Sequence, residues 1–254
     1  MRVLHVHSGN LYGGVETFLR TLARFRHLAP SMGMHVALCY EGRLAAELRQ
    51  SGIEPVMLGG ARLTRPDKVW QSRRRLRRAI ERIGAEALVC HQAWPHLLFG
   101  PVARAAGVPL VAWVHMADRG HWLERAAWRV LPDAVICNSR FTASTLPRVV
   151  APAEVLYMPV EPAPANGSAG IRQSLGATER DVVIIQVSRM EPLKGHMVCL
   201  EALSKLRDDP GWTCWQVGGA QRPAEHRYLS SLQQAADRLG IGDRVRFLGE
   251  RADV

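Results

Sequence analysis

Two fixed cations, Arg189 and Lys194, close the run VVIIQVSRMEPLKGH, Val182 to His196. A β-branched apolar stretch ends at Ser188-Arg189, and Lys194-Gly195 opens a helix-like pattern. The unpaired N–H groups and the dipole of a helix N-terminus favour anions. An arginine fork and a lysine point charge can neutralise two phosphates together, and Gly195 lets backbone approach a ligand closely. The chemistry these residues point to is the binding of a diphosphate. An arginine capping a loop beside a solvated lysine would fit the same letters, but the strand-to-helix setting favours the phosphate.

A second group lies near the N-terminus in SGNLYGGVETFL, where Gly13-Gly14 precede a helix carrying Glu16. Adjacent glycines at a helix start admit a phosphate or sugar. The spacing is neither GxGxxG nor a P-loop, so a simple tight turn competes with that reading. Histidines fall at strand ends: His7, His91 and His115, with His96 and His121 nearby. His115 follows LVAWV and is placed at the sheet's ligand edge. An imidazole there can bond a substrate hydroxyl or act as acid or base; a structural histidine is the plain alternative. No HExxH spacing is present, so no metal site is expected. Ser139 closes another strand, where helix capping is its default role, and no GxSxG elbow makes it a nucleophile. Arg73, Arg74, Arg75, Arg77, Arg78 and Arg82 share one expected helix with an apolar face of Leu76, Ala79, Ile80 and Ile83. Such a helix suits an anionic membrane surface, through Arg73, Arg74, Arg77 and Arg78; a solvated basic face is the alternative.

These residues need elements to hold them. The chain has 254 residues, 47% of them hydrophobic, which allows a full core. Its net charge is +10, and only Lys68, Lys194 and Lys205 among 33 basic residues are lysines. Positive charge attracts nucleotides, phospholipids or nucleic acid, but no reader motif or interleaved aromatics support nucleic-acid binding. Five cysteines without a CxxC pair fit reduced thiols and a cytoplasmic protein, attached at most peripherally to a membrane. Neither a signal peptide nor a membrane-spanning stretch is read.

Short apolar runs at 3–6, 35–40, 54–58, 87–90, 110–114 and 134–137 alternate with helical patterns at 15–28, 44–50, 69–83, 97–106 and 122–131. That order predicts an α/β fold with a parallel sheet covered on both faces. From Pro159 to Gly170 the composition turns to proline, alanine, glycine and serine, a linker signature. The pattern then restarts with strands at 182–187, 212–217 and 245–248 and helices at 195–206 and 224–239. The expected organisation is an N-terminal Rossmann-like domain at 1–158, a linker at 159–180 and a partial second domain at 181–254. With three strands, the second domain reads as incomplete.

At these residues the chain resembles the family 4 glycosyltransferases of the GT-B fold. GGVE at Gly13–Glu16, VPLVAWVH at Val108–His115 and PDAVICNS at Pro132–Ser139 carry the resemblance in order. VSRMEPLKGHMVCLEAL at Val187–Leu203, the most specific segment, and Val217–Gly249 continue it. The resemblance implies two Rossmann-like doubly wound domains and a retaining transfer from a nucleotide-diphosphate sugar, with no metal or other cofactor. It implies that Arg189 and Lys194 neutralise the departing diphosphate and that Gly13 and Gly14 lie against the donor. His115 would contact the transferred sugar, the catalytic position, and Glu16 and Ser139 would stand on the acceptor and sugar side. A saccharide or lipid-linked saccharide would be the acceptor. The family's pair of glutamates after the FLG strand has no counterpart before Val254, so the 254 residues alone are expected to bind donor weakly and transfer little. Two other readings stand beside this one: a non-catalytic sugar-nucleotide-binding or partner module, and a GT-B-type sugar-nucleotide epimerase.

Overall fold

The apolar runs of the first unit, Met1–Glu161, become seven strands. They are β1 (Arg2–His7), β2 (Gly33–Leu38), β3 (Val56–Met57), β4 (Ala87–His91), β5 (Leu110–Val114), β6 (Ala134–Cys137) and β7 (Ala153–Val155). Between them run α1 (Gly14–Arg24), α2 (Arg43–Gln50), α3 (Pro66–Ile83), α4 (Ala93–Ala106), α5 (Trp122–Ala127) and α6 (Arg140–Ser144). The computed structural model describes residues 1–150, 152–161 and 168–251. All seven strands pair in parallel in the order β3-β2-β1-β4-β5-β6-β7. Parallel neighbours require crossovers, and the crossover helices cover both faces.

Side chains alternate between faces along a strand. On β1, Leu4 and Val6 join Leu88 and Leu110 against Leu76 of α3 and Phe99 of α4. Val3, on the other face, joins Val89, Trp113 and Phe18 of α1. The same alternation sends His5 and His7 to the Phe18 face. The strand order changes direction at β1, which lies between β2 and β4. In an open parallel sheet that is where a crevice forms, outside the carboxyl ends of the strands.

Helix ends follow local chemistry. Pro66 opens α3 where an N–H would have no intrahelical partner, and Gly84 ends it in the left-handed conformation (φ 63°, ψ 49°). Helix α4 starts at Ala93, ahead of the expected Leu97, because Pro95 falls in the first turn, where its missing N–H breaks no bond. The short edge strand β7 was not expected from the sequence; Ala153–Val155 has too few residues to show alternation.

The second unit, Pro162–Val254, contains α7 (Ser168–Ser174), β8 (Val182–Val187), α8 (His196–Ser204), β9 (Trp212–Val217), α9 (Pro223–Arg238) and β10 (Val245–Gly249). Its strands are parallel in the order β10-β9-β8. Leu200 and Leu203 of α8 and Leu232 and Ala236 of α9 pack with Cys214 on one face. Ile171 and Leu175 pack with Trp215 and Val217 on the other. Part of the expected linker, 162–167, lies outside the described residues, and Ser168–Ser174 within it is helical. Strand β8 forms one edge of this sheet, and its Ile185 and Val187 are 54% and 55% exposed.

Just past β9, Gly218 has φ 137°, and a Cβ there would fall inside the van der Waals shell of the Ser188 carbonyl oxygen. Only a glycine lets the chain after β9 cross so close to the end of β8. Gly218→Ala is therefore expected to destabilise the second unit, by about 1–3 kcal/mol from the backbone conformation alone. Hydrogen exchange at β9 amides checks this; unchanged protection would show that the crossing tolerates a side chain.

Candidate functional site

In the first unit, β1 ends at His7, and a loop through Gly9 (φ 75°) leads to Gly13, the N-cap of α1. Gly13 caps α1 without a side chain, and a Cβ on Gly14 would meet nothing within 4 Å. Neither positive φ nor close packing requires a glycine at position 14. Glu16, in the first turn of α1, is buried, and His7 Nε2 donates to its carboxylate at 2.5 Å. Burial pushes the Glu16 carboxyl up, but the hydrogen bond and charge of His7 and backbone hydrogen bonds outweigh it, and the net shift is down. Glu16 is thus held as the partner of His7.

A row of histidines crosses the sheet on the Phe18 face. His5 Nδ1 lies 3.0 Å from His91 Nε2, and His91 Nδ1 lies 2.9 Å from His115 Nε2. Trp113 stacks on His91 with ring centres 5.5 Å apart, and Phe18 closes on Trp113 at 4.8 Å. Burial pushes His5 down to about 4 and His115 down to about 3. His91 lies well below its ordinary value, first from burial and then from its histidine neighbours. All three rings are neutral at pH 7.

His115 is also fixed through its backbone. Asn138 Nδ2 donates to the His115 carbonyl at 2.9 Å, and Thr142 Oγ1 donates to Asn138 Oδ1 at 2.8 Å. Ser139 Oγ accepts the Thr142 N–H at 3.0 Å as the N-cap of α6, so its side chain is engaged in capping. Asn138 and His5 were not singled out in the sequence. The H-x-H alternation of β1 and the asparagine beside Ser139 were the signals available. His96 donates from Nε2 to the Val130 carbonyl at 2.7 Å, and His121 opens α5, its N–H bonded to Glu124 at 2.8 Å. Both therefore serve the framework.

A cavity of about 310 Å³ opens at the carboxyl ends of β4 and β5. Trp94, Val114, Met116, Leu123 and Trp128 give it largely apolar walls, and His115 is among its lining residues. Gln92, at its rim, is held at φ 73°. On α3, Arg73 donates to the Leu98 carbonyl at 2.7 Å and Arg75 to the Leu58 carbonyl at 3.1 Å, so these two bind the helix to its neighbours. Arg74 lies over the exposed Trp70, Arg77 pairs with Glu81 at 3.1 Å, and Arg78 is exposed.

In the second unit the cations sit differently from expectation. Arg189 pairs with Glu191 at 2.9 Å and approaches Glu225 at 3.5 Å. Arg222 binds both carboxylates, Glu225 at 2.8 Å. Arg189 is thus one corner of a four-charge cluster, and its buried Nη1 makes no hydrogen bond. Lys194 does not open the helix. It ends a 3-10 turn, Pro192–Lys194, and Gly195 (φ 76°) turns the chain into α8. Gln186 Nε2 holds that turn by donating to the Lys194 carbonyl at 2.8 Å, and the Lys194 side chain is exposed. His196 Nε2 and Ser188 Oγ are 3.0 Å apart across the same junction. Among the described residues, no three His, Cys, Asp or Glu side chains group as metal ligands.

Comparison with known proteins decides what carries this arrangement. Residues 12–163 match the family model described as Glycosyltransferase Family 4. The chain belongs to that family. Residues 168–254 match the model described as Glycosyl transferases group 1. Among solved structures, HepE of Anabaena in complex with UDP and glucose is 22% identical, with a TM-score of 0.82 over 100% of this chain and 70% of that one. The same protein in complex with UDP-glucose gives 23% and 0.82 over the same shares. A glycosyltransferase from Rickettsia africae is 16% identical, with a TM-score of 0.75 over 99% of this chain and 69% of that one. No curated protein matches. The fold of this family 4 chain is that of GT-B glycosyltransferases.

The histidine row has a consequence for stability. Folded-state values below 6.5 mean that the unfolded chain binds more protons below that pH. The stabilisation is full above pH 6.5 and is lost as pH falls towards 4 and then 3. His5 and His115 each contribute up to about 1.4 kcal/mol per pH unit in that window, and His91 acts in the same direction. Urea unfolding of the first unit at pH 7.5, 6.5 and 5.5 is expected to show falling midpoints; a flat profile would refute the neutral buried rings.

Proposed function

We propose that this family 4 protein is a retaining hexosyltransferase that moves a sugar from a nucleotide-diphosphate donor to a saccharide or lipid-linked acceptor. The observation that carries this reading is the junction after β8. There Lys194 is held outward by a 3-10 turn, and Arg189 carries a buried N–H without a hydrogen bond. Cleavage of the donor's glycosidic C–O bond leaves negative charge on the diphosphate. Cations fixed beforehand stabilise charge that develops in the transition state. In this reading Arg189 and Lys194 take the diphosphate and His115 bonds the transferred sugar. Gly13 and Gly14 approach the donor, and charge neutralisation asks for no metal. HepE binds UDP-glucose, which makes that compound the first donor to try.

The apolar cavity beside His115 supports an acceptor with an apolar part, such as a lipid-linked saccharide. Exposed Trp70 and Arg74 with Arg77 and Arg78 on α3 support a seat at an anionic membrane face, which would put the reaction on the cytoplasmic side. Among the described residues, no helix is long and apolar enough to cross a membrane. Glu16 acts through His7 in this proposal, and Ser139 through the α6 cap that holds Asn138.

Lys194→Ala removes an exposed cation and should leave folding intact. It is expected to weaken UDP binding about tenfold or more, the scale of a hydrogen bond to a charged group. Titration calorimetry reads this, with uridine as the control lacking phosphate; equal UDP affinity in both proteins would reject the site. Gly14→Ala separates fold from function. It should leave stability unchanged or raise it by up to about 1 kcal/mol, yet lower affinity for UDP-glucose because the new methyl occupies the donor's approach. A variant with unaltered affinity would remove the glycine loop from the donor site.

A further inference from the structure

Three neutral imidazoles hydrogen-bonded in line share few proton arrangements, because each carries one N–H and one lone pair. His91 Nδ1 meets His115 Nε2 at 2.9 Å, and His91 Nε2 meets His5 Nδ1 at 3.0 Å. Suppose His91 donates from Nδ1. His115 then accepts at Nε2 and carries its proton on Nδ1, and His5 donates from Nδ1. If His91 donates from Nε2, every proton moves to Nε2. The three rings are therefore all Nδ1–H or all Nε2–H, and none can change alone without breaking a bond.

The ends of the row decide between the two states. His5 Nε2 and His115 Nδ1 are both buried without a hydrogen-bond partner among the described residues. The all-Nε2–H state strands a donor on His5, in mid-strand between Val36 and Val89 of the neighbouring strands. Buried donors without partners are rare. The all-Nδ1–H state leaves only a lone pair there and moves the spare N–H to His115 Nδ1. That atom is also buried without a partner, but it belongs to a residue that lines the cavity at the carboxyl end of β5, where a ligand can supply the acceptor that the mid-strand position of His5 cannot. We propose that His5 and His91 are positioning residues that lock His115 as an Nδ1–H donor for a hydroxyl of the transferred sugar. The sugar contact itself rests on the function proposed above.

In this state His115 cannot act as a base, since its only lone pair is taken by His91. Carboxylates or carbonyls usually set a functional histidine's tautomer; here another histidine does. The titratable groups facing the row are His7 on β1 and Glu16 on α1, and they are bonded to each other. Phe18 and Trp113 wall the row and hold the rings in plane.

Long-range 1H–15N spectra of the 15N-labelled 254-residue chain test the lock without any substrate. His5, His91 and His115 are expected as Nδ1–H tautomers that do not titrate from pH 8 to 5. An Nε2–H signature or ordinary titration at His115 overturns the proposal. His91→Gln keeps one donor and one acceptor in line, whereas His91→Phe keeps neither. The Gln variant should retain the Nδ1–H signal of His115 and the Phe variant should lose it. The positioning role is read from the affinity gap between UDP-glucose and UDP, which should shrink about three- to tenfold in His91→Phe, the range of one neutral hydrogen bond, and be restored in His91→Gln. A gap that survives loss of the lock overturns the positioning role. A wild-type chain with the locked spectra but no gap would instead sink the sugar contact proposed for His115 and leave the tautomer lock standing.

Discussion

A parallel sheet covered on both faces must bury most of what its strands carry. Backbone groups are satisfied by the ladder, and apolar side chains fill the two interfaces. Polar chemistry is left with the carboxyl ends of the strands, where loops lead into helices. The first unit obeys this constraint in the main and departs from it most plainly at His5. His5 lies in the middle of β1, with Leu4 and Val6 turned to one interface and its own ring to the other. A lone buried imidazole would leave both nitrogens unsatisfied. The exception is tolerated because β1, β4 and β5 are adjacent and their registers bring His91 and His115 into line. The row thus connects the interior of the sheet to its ligand edge.

The second unit handles polarity in the opposite way. Its strand-end residues are charged, and the charges are paired. Glu191 and Glu225 are buried, and each is approached by Arg189 and Arg222. Buried carboxylates of this kind are stable only with such partners. Two cations on two anions leave the cluster neutral, so the positive potential at the junction comes mainly from Lys194. Arg189 contributes direction more than charge. Its guanidinium is oriented by Glu191, and the Nη1 group, 3.5 Å from Glu225, lies beyond good hydrogen-bond geometry. A donor held ready in this way requires little rearrangement when an anion arrives.

The strands were legible because β-branched and apolar runs of four to six residues carry their own period, as in Val182–Val187 and Leu110–Val114. Helix α3 was expected from Val69 to Ile83; its end agrees, and its start lies three residues earlier, at Pro66. What failed was local structure fixed by distant contacts. Helix α7 has the composition of a linker, and what holds it is Ile171 packed with Trp215 and Val217. At the site, the two cations and His115 could be named from spacing. Their partners could not, because Glu225 reaches Arg189 from α9 and His5 reaches His91 only through strand register. Sequence periodicity says which face a residue occupies; it does not say which neighbour across the sheet it meets.

Under the proposed function, the two solutions suit two kinds of ligand atom. A diphosphate oxygen carries full charge, and a solvent-exposed ammonium with an oriented guanidinium discriminates it by sign. A sugar hydroxyl is neutral, both donor and acceptor, and a charged partner would bind water or phosphate as readily. Discrimination there comes from a group whose proton cannot move, since a fixed donor leaves an analogue lacking the acceptor with a stranded buried N–H. Burial that keeps His115 neutral and a histidine neighbour that fixes its tautomer supply that kind of group. The cost falls on stability at acid pH, where every ring in the row must be kept from taking up a proton. The row is therefore better explained by what it presents at the end of β5 than by its contribution to the core.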